Sequence, residues 1–163
     1  MLYEKYYAYG IGICYRYAYN KEEAIEILND SFLRVFYNIE SFKPEQPFKP
    51  WFKKIIVNRA IDYYRKYMKH HDAQSLDEEE VQIHETSTVD ELELQDLMNL
   101  LNELPERYRL VFNLYEVEGY SHQEISEKLG IGESTSRSDL SRAKQLLRRK
   151  YRDYYQKNYE QII

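Results

Sequence analysis

Arg137, Arg142, Arg148, Arg149 and Arg152, interleaved with Ser134, Ser138, Ser141 and Gln145, concentrate directional hydrogen-bonding groups in the last third of this sequence. At 100° per residue Ser134, Ser138, Ser141, Arg142, Gln145, Arg149 and Arg152 share one side of a helix, flanked by Arg137 and Arg148. Ser136, Leu140, Ala143 and Leu147 gather within about 60° of one another on the opposite side, as a core face does. Small hydroxyls let a helix sit deep in a major groove, while arginine and glutamine pair with base edges or phosphates. The chemistry offered is recognition rather than bond making. An ordinary solvated helix would carry some of the same residues, so the context decides. Ser121 and Glu124 have the spacing of a capping box and open a helix over His122 to Leu129; Gly130 supplies a tight turn and Ile131 an apolar plug. The second helix then starts near Glu133 and runs past Lys150, which completes a helix-turn-helix.

A second cluster of cations lies at 49–69. Lys54, Asn58, Arg59, Asp62, Arg65, Lys66 and Lys69 fall opposite a broad apolar side made of Phe52, Ile56, Ala60, Tyr63, Tyr64, Tyr67 and Met68, and Trp51 and Ile55 lie among the charges. An aromatic ring on a basic face suits single-stranded nucleic acid, whose bases stack at about 1–3 kcal/mol each while cations follow the backbone. Trp51 could equally pack on the loop before it, and the two roles are compatible. No enzyme chemistry converges: His70, His71 and Asp72 lie beside a linker, His84 lies within it and His122 starts a helix, so no triad, phosphate loop or metal set forms and no cofactor is expected.

These faces need helices to carry them. Glycine and proline are scarce, five and four, and apolar residues recur at helical spacing, so an all-α protein is expected. Helices are predicted over 2–19, with Tyr3, Tyr7, Ile11 and Cys14 on one stripe and Gly10 and Gly12 weakening it; over 21–38, with Asn20 as N-cap; and from Pro50 to about His70, after a loop from Phe42 to Phe48. In the second of these, Ala24, Ile25, Ile27, Leu28, Ser31, Phe32, Val35 and Phe36 form a wide buried face, and Glu23, Glu26, Asp30 and Arg34 a narrow charged one. Residues 72–95 hold nine acids and no Lys or Arg, and setting them aside leaves bases in the majority, so the net charge of −5 does not argue against a nucleic-acid partner. The acidic stretch over 72–91 reads as a flexible linker between two small helical domains, 1–71 and 92–163. Eighteen tyrosines and six phenylalanines can fill two such thin cores. One cysteine, Cys14, excludes an internal disulfide, and no apolar run nears the roughly 20 residues of a membrane span, so a cytoplasmic protein is expected.

Leu104-Pro105-Glu106-Arg107-Tyr108-Arg109, then Tyr115 to Ile125 and Leu129-Gly130-Ile131, resemble region 4 of bacterial sigma factors. Ile13 to Tyr17, Ala24 to Phe36 and Phe48 to Asp62 resemble region 2, in the expected order, and together the two cover roughly four fifths of the chain. The small extracytoplasmic-function type is the match. The resemblance implies a non-catalytic subunit that joins core RNA polymerase and directs it to promoters. It places −35 duplex contacts at Thr135, Arg137, Ser138, Ser141 and Arg142, to which the helical face adds Gln145 and Arg149. Capture of the melted −10 strand falls to Phe48, Trp51, Lys54, Asn58, Arg59 and Arg65, with the Phe42 to Phe48 loop helping to set specificity. The face of Glu23, Glu26, Asp30 and Arg34 would dock on the clamp helices of the largest polymerase subunit. An anti-sigma factor, holding the protein at the inner face of the membrane, is a further implied partner. Three positions depart from the family pattern: Ile25 is usually acidic there, Ser136 usually apolar, and Asp139 often basic, so Asp139 either shapes specificity or pairs with a nearby arginine. Two rival readings stay open at this level, a stand-alone helix-turn-helix regulator and a helical protein-interaction module.

Overall fold

Alternating caps and breakers along the chain define seven α-helices and no strand among the residues that the computed structural model describes, 1–71 and 89–160. The chain divides into two units, Met1–Asp77 and Glu78–Ile163. Most of the acidic stretch expected as a linker lies outside the described residues; its last three positions, Val89 to Glu91, are already helical.

In the first unit α1 (Leu2–Cys14) ends five residues earlier than periodicity predicts. The amides of Arg16 and Tyr17 turn back to the carbonyls of Ile13 and Cys14 at 3.1 and 2.9 Å, a tight turn that leads directly into the cap of α2 (Lys21–Tyr37). Asn20 is extended there, its side chain accepts the Glu23 amide at 2.8 Å, and the Glu23 carboxylate accepts the Tyr19 amide at 2.6 Å. The cap satisfies the Glu23 amide in the first turn of α2, and the extended Asn20 separates the two helices. Gly10 has a use that outweighs its poor helix propensity: a Cβ there would come 2.5 Å from Leu28 Cδ1 and 3.1 Å from Phe52 Cε1, so its absence lets α1 lie close on both neighbours.

A short 3-10 turn (Ile39–Ser41) and a loop lead to α3 (Phe48–His71). Ile13, Ala24, Ile27, Leu28, Phe32, Val35, Phe52, Ile56, Val57 and Ile61 are buried between the three helices. Rings continue this core outward: Tyr3 meets Phe32 at 4.6 Å, Phe32 meets Phe52 at 4.8 Å, and Phe52 meets Phe48 at 5.5 Å. Such ring pairs contribute beyond their buried area. Cys14 is buried in this core, and burial pushes its thiol up to about 12, so it stays protonated and unreactive near neutral pH. One expectation fails on α2. Phe36 is 54% exposed, because at the last turn the core stripe has narrowed to Val35, which is fully buried.

The second unit contains α4 (Val89–Asn102), α5 (Glu106–Phe112), a π-helical turn (Asn113–Val117), α6 (His122–Leu129) and α7 (Glu133–Glu160). Leu101, Leu104 and Ala143 are buried against Met98, Tyr108, Phe112, Leu146 and Leu147. Arg109 is buried as well, and its guanidinium donates at 3.4 Å to the backbone carbonyl and to the side-chain oxygen of Asn102, the last residue of α4. A cation at that end satisfies a terminal carbonyl and complements the helix dipole. Gly119, at φ 77°, releases the chain from the π turn toward α6.

Candidate nucleic-acid interface

The turn that aims α7 is built from local chemistry. Ser121 Oγ accepts the Glu124 amide at 3.2 Å and Glu124 accepts the Ser121 amide at 2.8 Å, the reciprocal pair that starts α6. The amide and hydroxyl of Ser121 hold the Glu124 carboxyl below the ordinary range. Gly130 is left-handed at φ 68°, its amide bonds to the Ser126 carbonyl at 2.9 Å, and the Ser126 hydroxyl donates to the Ile131 carbonyl at 2.6 Å. The capping box and the glycine are legible in the sequence. Ser126, whose hydroxyl closes the turn, carries no such local signature.

On α7 the expected face is exposed as a set: Ser134, Arg137, Ser138, Ser141, Arg142, Gln145, Arg148, Arg149 and Arg152 reach solvent, and Thr135 is half-buried. Ser138 donates its hydroxyl to the Thr135 carbonyl at 2.9 Å, which leaves its oxygen free to accept. Arg137 pairs one turn back with Glu133 at 2.7 Å, an exposed contact weak enough to exchange for a phosphate. Arg142 donates to the Tyr108 hydroxyl at 3.2 Å, and Tyr108, Arg142, Gln145, Leu146 and Arg149 line one groove.

Beneath that face the structure accounts for two unusual residues. Ser136 is fully buried, with its Oγ 2.9 Å from His122 Nδ1. The His122 ring stacks on Tyr115 with centroids 4.5 Å apart, and burial first, then the Arg137 charge, hold its pKa below the ordinary 6.5. Asp139, on a flank of the sequence wheel, is also fully buried and pairs with Arg107 of α5. Arg107 Nη2 donates to Asp139 Oδ1 at 3.2 Å, and Nε lies 2.9 Å from Oδ2 as a charge contact without hydrogen-bond alignment. Of the two alternatives for Asp139, the pairing with a nearby arginine is present.

On α3, Lys54 and Arg65 are exposed and Asn58 and Arg59 half-exposed. Arg59 is tied to Asp62 at 2.7 Å. Trp51 packs on the preceding segment, 4.9 Å from Phe42 and 5.7 Å from Phe48, and remains half-exposed. Phe48 is the hub of this cluster, with Tyr6 at 4.4 Å and Phe42 at 5.7 Å, so its ring supports the others rather than standing free. Lys49 covers the Tyr9 ring at 5.2 Å.

The charged face of α2 divides in the structure. Glu23 is half-buried and engaged by the Tyr19 amide, whereas Glu26, Asp30 and Arg34 are exposed, Glu26 accepting from the Tyr63 hydroxyl at 3.4 Å. Leu33 at 52% and Phe36 at 54% exposure adjoin them, with Tyr37 beyond. This apolar component was hidden by counting Phe36 in the core. Among the described residues no group of His, Cys, Asp and Glu could hold a metal ion, and no helix is long and apolar enough to cross a membrane.

The Sigma-70 region 2 family model matches residues 2–70 and the Sigma-70 region 4 model residues 94–147. RNA polymerase sigma factor SigV of Bacillus subtilis is 30% identical over 136 residues, covering 83% of this chain and 80% of that protein. ECF RNA polymerase sigma factor SigW of the same organism is 30% identical over 153 residues, 86% of this chain and 82% of its own length. By fold the chain is similar to the sigma factor RpoE solved with the anti-sigma factor NepR from Bartonella quintana, at 20% identity and a TM-score of 0.51 over 85% of this chain and 87% of that one. It is also similar to CnrH solved with the cytosolic domain of CnrY, at 19% identity and a TM-score of 0.50 over 93% and 86%. A helix-turn-helix unit and a basic, aromatic three-helix unit, each matched by its own region model, make this chain a member of the extracytoplasmic-function RNA polymerase sigma factors.

Proposed function

We propose that this sigma factor divides promoter recognition between its two units, with α7 reading the −35 duplex and α3 capturing the melted −10 strand. Family membership supplies the coarser role, binding to core RNA polymerase and promoter-specific initiation, and the finer division rests on the chemistry of the two faces. The observation that carries it is the exposure of Ser138, Ser141, Arg142, Gln145 and Arg149 on one side of a helix whose other side is buried through Ser136, Asp139, Leu140 and Ala143. Arg142 is suited to a bidentate contact with guanine, worth about 1–3 kcal/mol of discrimination. Arg137 and Arg149 at the edges suit phosphates, and Thr135 and Ser141 can approach the groove floor because they are small.

On α3 the half-exposed Trp51 offers an edge and part of a face to an unstacked base, with Phe42 and Phe48 behind it as a platform. Lys54, Asn58, Arg59 and Arg65 extend along the same helix toward the backbone. The α2 face serves the polymerase. Asp30 and Arg34 lie beside an exposed apolar patch of Leu33 and Phe36, and such a patch edged by charge is characteristic of a protein contact. One relative by fold was solved with an anti-sigma factor and another with the cytosolic domain of a partner protein, which supports an anti-sigma factor as a partner here, holding the protein at the inner face of the membrane.

Reconstitution tests the reading: purified protein is added to core polymerase on promoter DNA. Specific initiation that depends on the added protein is expected. Tight duplex binding by the protein alone without initiation would instead identify a stand-alone regulator.

A further inference from the structure

Apolar packing is non-directional and fixes the roll of a helix only loosely. The recognition helix α7 has something more directional beneath it. Ser136 and Asp139 lie one turn apart on its inner side, both fully buried, and each meets a polar side chain from a different helix: His122 of α6 and Arg107 of α5. A buried carboxylate tolerates few positions, because any roll that separates it from its partner leaves a desolvated charge. Arg107 and the next residue, Tyr108, grip α7 at successive turns, Arg107 through Asp139 inside and Tyr108 through the exposed Arg142. Asp139 directly follows Ser138 and precedes Arg142 by three residues, so a rotation at Asp139 moves both across the groove.

We propose that Asp139 and Arg107 form a positioning pair that sets which bases Arg142 and Ser138 read, although the Asp139 carboxylate, with no exposed surface, touches no DNA itself. Binding groups need placement within about 0.5 Å and 10–20°, and an ion pair with a hydrogen bond is directional where a leucine contact is not. The inference rests on the duplex-reading assignment of α7.

The test uses holoenzyme, reconstituted with each variant, to select from promoters randomised only in the upstream element; nonspecific duplex binding and the thermal melt of each variant are measured alongside. Asp139→Asn keeps the shape and removes the charge. R107M/D139L replaces the pair with apolar side chains, which can retain or raise stability. R107D/D139R reverses the pair. Both Asp139→Asn and the apolar double are expected to lose about tenfold of base preference at one or two adjacent positions, while nonspecific binding changes by less than about threefold. The reversed double is expected to recover most of the preference. An apolar double that melts like wild type and keeps the wild-type base preference would show the pair to be structural only and overturn the proposal. So would a reversed double that melts normally yet reads no better than Asp139→Asn. Wild-type holoenzyme without any upstream preference would overturn the duplex reading itself, and the positioning pair with it.

Discussion

The two surfaces proposed to meet DNA are supported in different ways. Under α7 lie directional polar pairs, the buried Ser136 with His122 and the buried Asp139 with Arg107. Behind the exposed edge of α3 lies a run of rings, from Trp51 through Phe48 and Phe52 to Phe32, with tilted contacts of 4.8–5.7 Å between them and one stacked contact of 5.5 Å between Phe48 and Phe52. Duplex reading requires hydrogen-bonding groups to meet base edges in fixed register, and directional pairs provide that. Strand capture requires a platform on which any π face can rest, and ring packing provides that with more tolerance. Similar basic composition at the two surfaces therefore conceals opposite demands on rigidity.

The largest expected effect separates the two cores. Phe52→Ala removes a fully buried ring that joins α1, α2 and the Trp51 cluster, and should cost the first unit about 3–5 kcal/mol. Denaturant unfolding followed by fluorescence of Trp51, the single tryptophan, should show that loss. Hydrogen exchange in α6 and α7 should stay at wild-type rates. Loss of protection in both units together would mean that they share a core.

A smaller effect tests the turn that aims α7. Ser121→Ala leaves the Glu124 amide in the first turn of α6 without its cap and should cost about 1 kcal/mol, read as lower exchange protection in α6 and a weaker −35 preference with −10 strand binding unchanged. Unchanged protection in α6 would show that Glu124 alone suffices as cap.

The smallest concerns pH. His122 is held neutral by burial and by the Arg137 charge, with Lys144 adding to and Glu133 opposing that effect. A lowered folded pKa means that the unfolded state takes up protons more readily, so the contribution is fully present above the unfolded value near 6.5 and is lost as pH falls through the folded value. The melt of the second unit should therefore weaken as pH falls below about 6.5, by an amount that His122→Gln removes. Equal pH dependence in that variant would assign the effect to other groups.

Much of this architecture is legible from local chemistry. Asn20 with Glu23, Ser121 with Glu124, and Gly130 announce their helix ends because caps and left-handed turns depend on a few neighbouring residues. Buried charge is harder to read. Arg109 and Asp139 carry no local sign of burial, since periodicity assigns charge to the surface, and only the arrival of Asn102 and Arg107 from other helices makes their positions tolerable. Phe36 fails for the converse reason: a wheel records angle around α2 but not how far along it the neighbouring helices reach. The exposed faces of α3 and α7 were easier, because solvent makes few demands that a sequence does not already show.

The division of labour is tested most directly by measuring −35 duplex affinity and promoter opening for the same two holoenzymes, one carrying Arg142→Ala and the other Trp51→Ala. Arg142→Ala should lose about 1–3 kcal/mol of −35 discrimination and, once bound, open the promoter at the wild-type rate. Trp51→Ala should bind the −35 duplex normally and lose a comparable amount in strand capture. Equal losses by both variants in both steps would contradict the assignment of one surface to each unit.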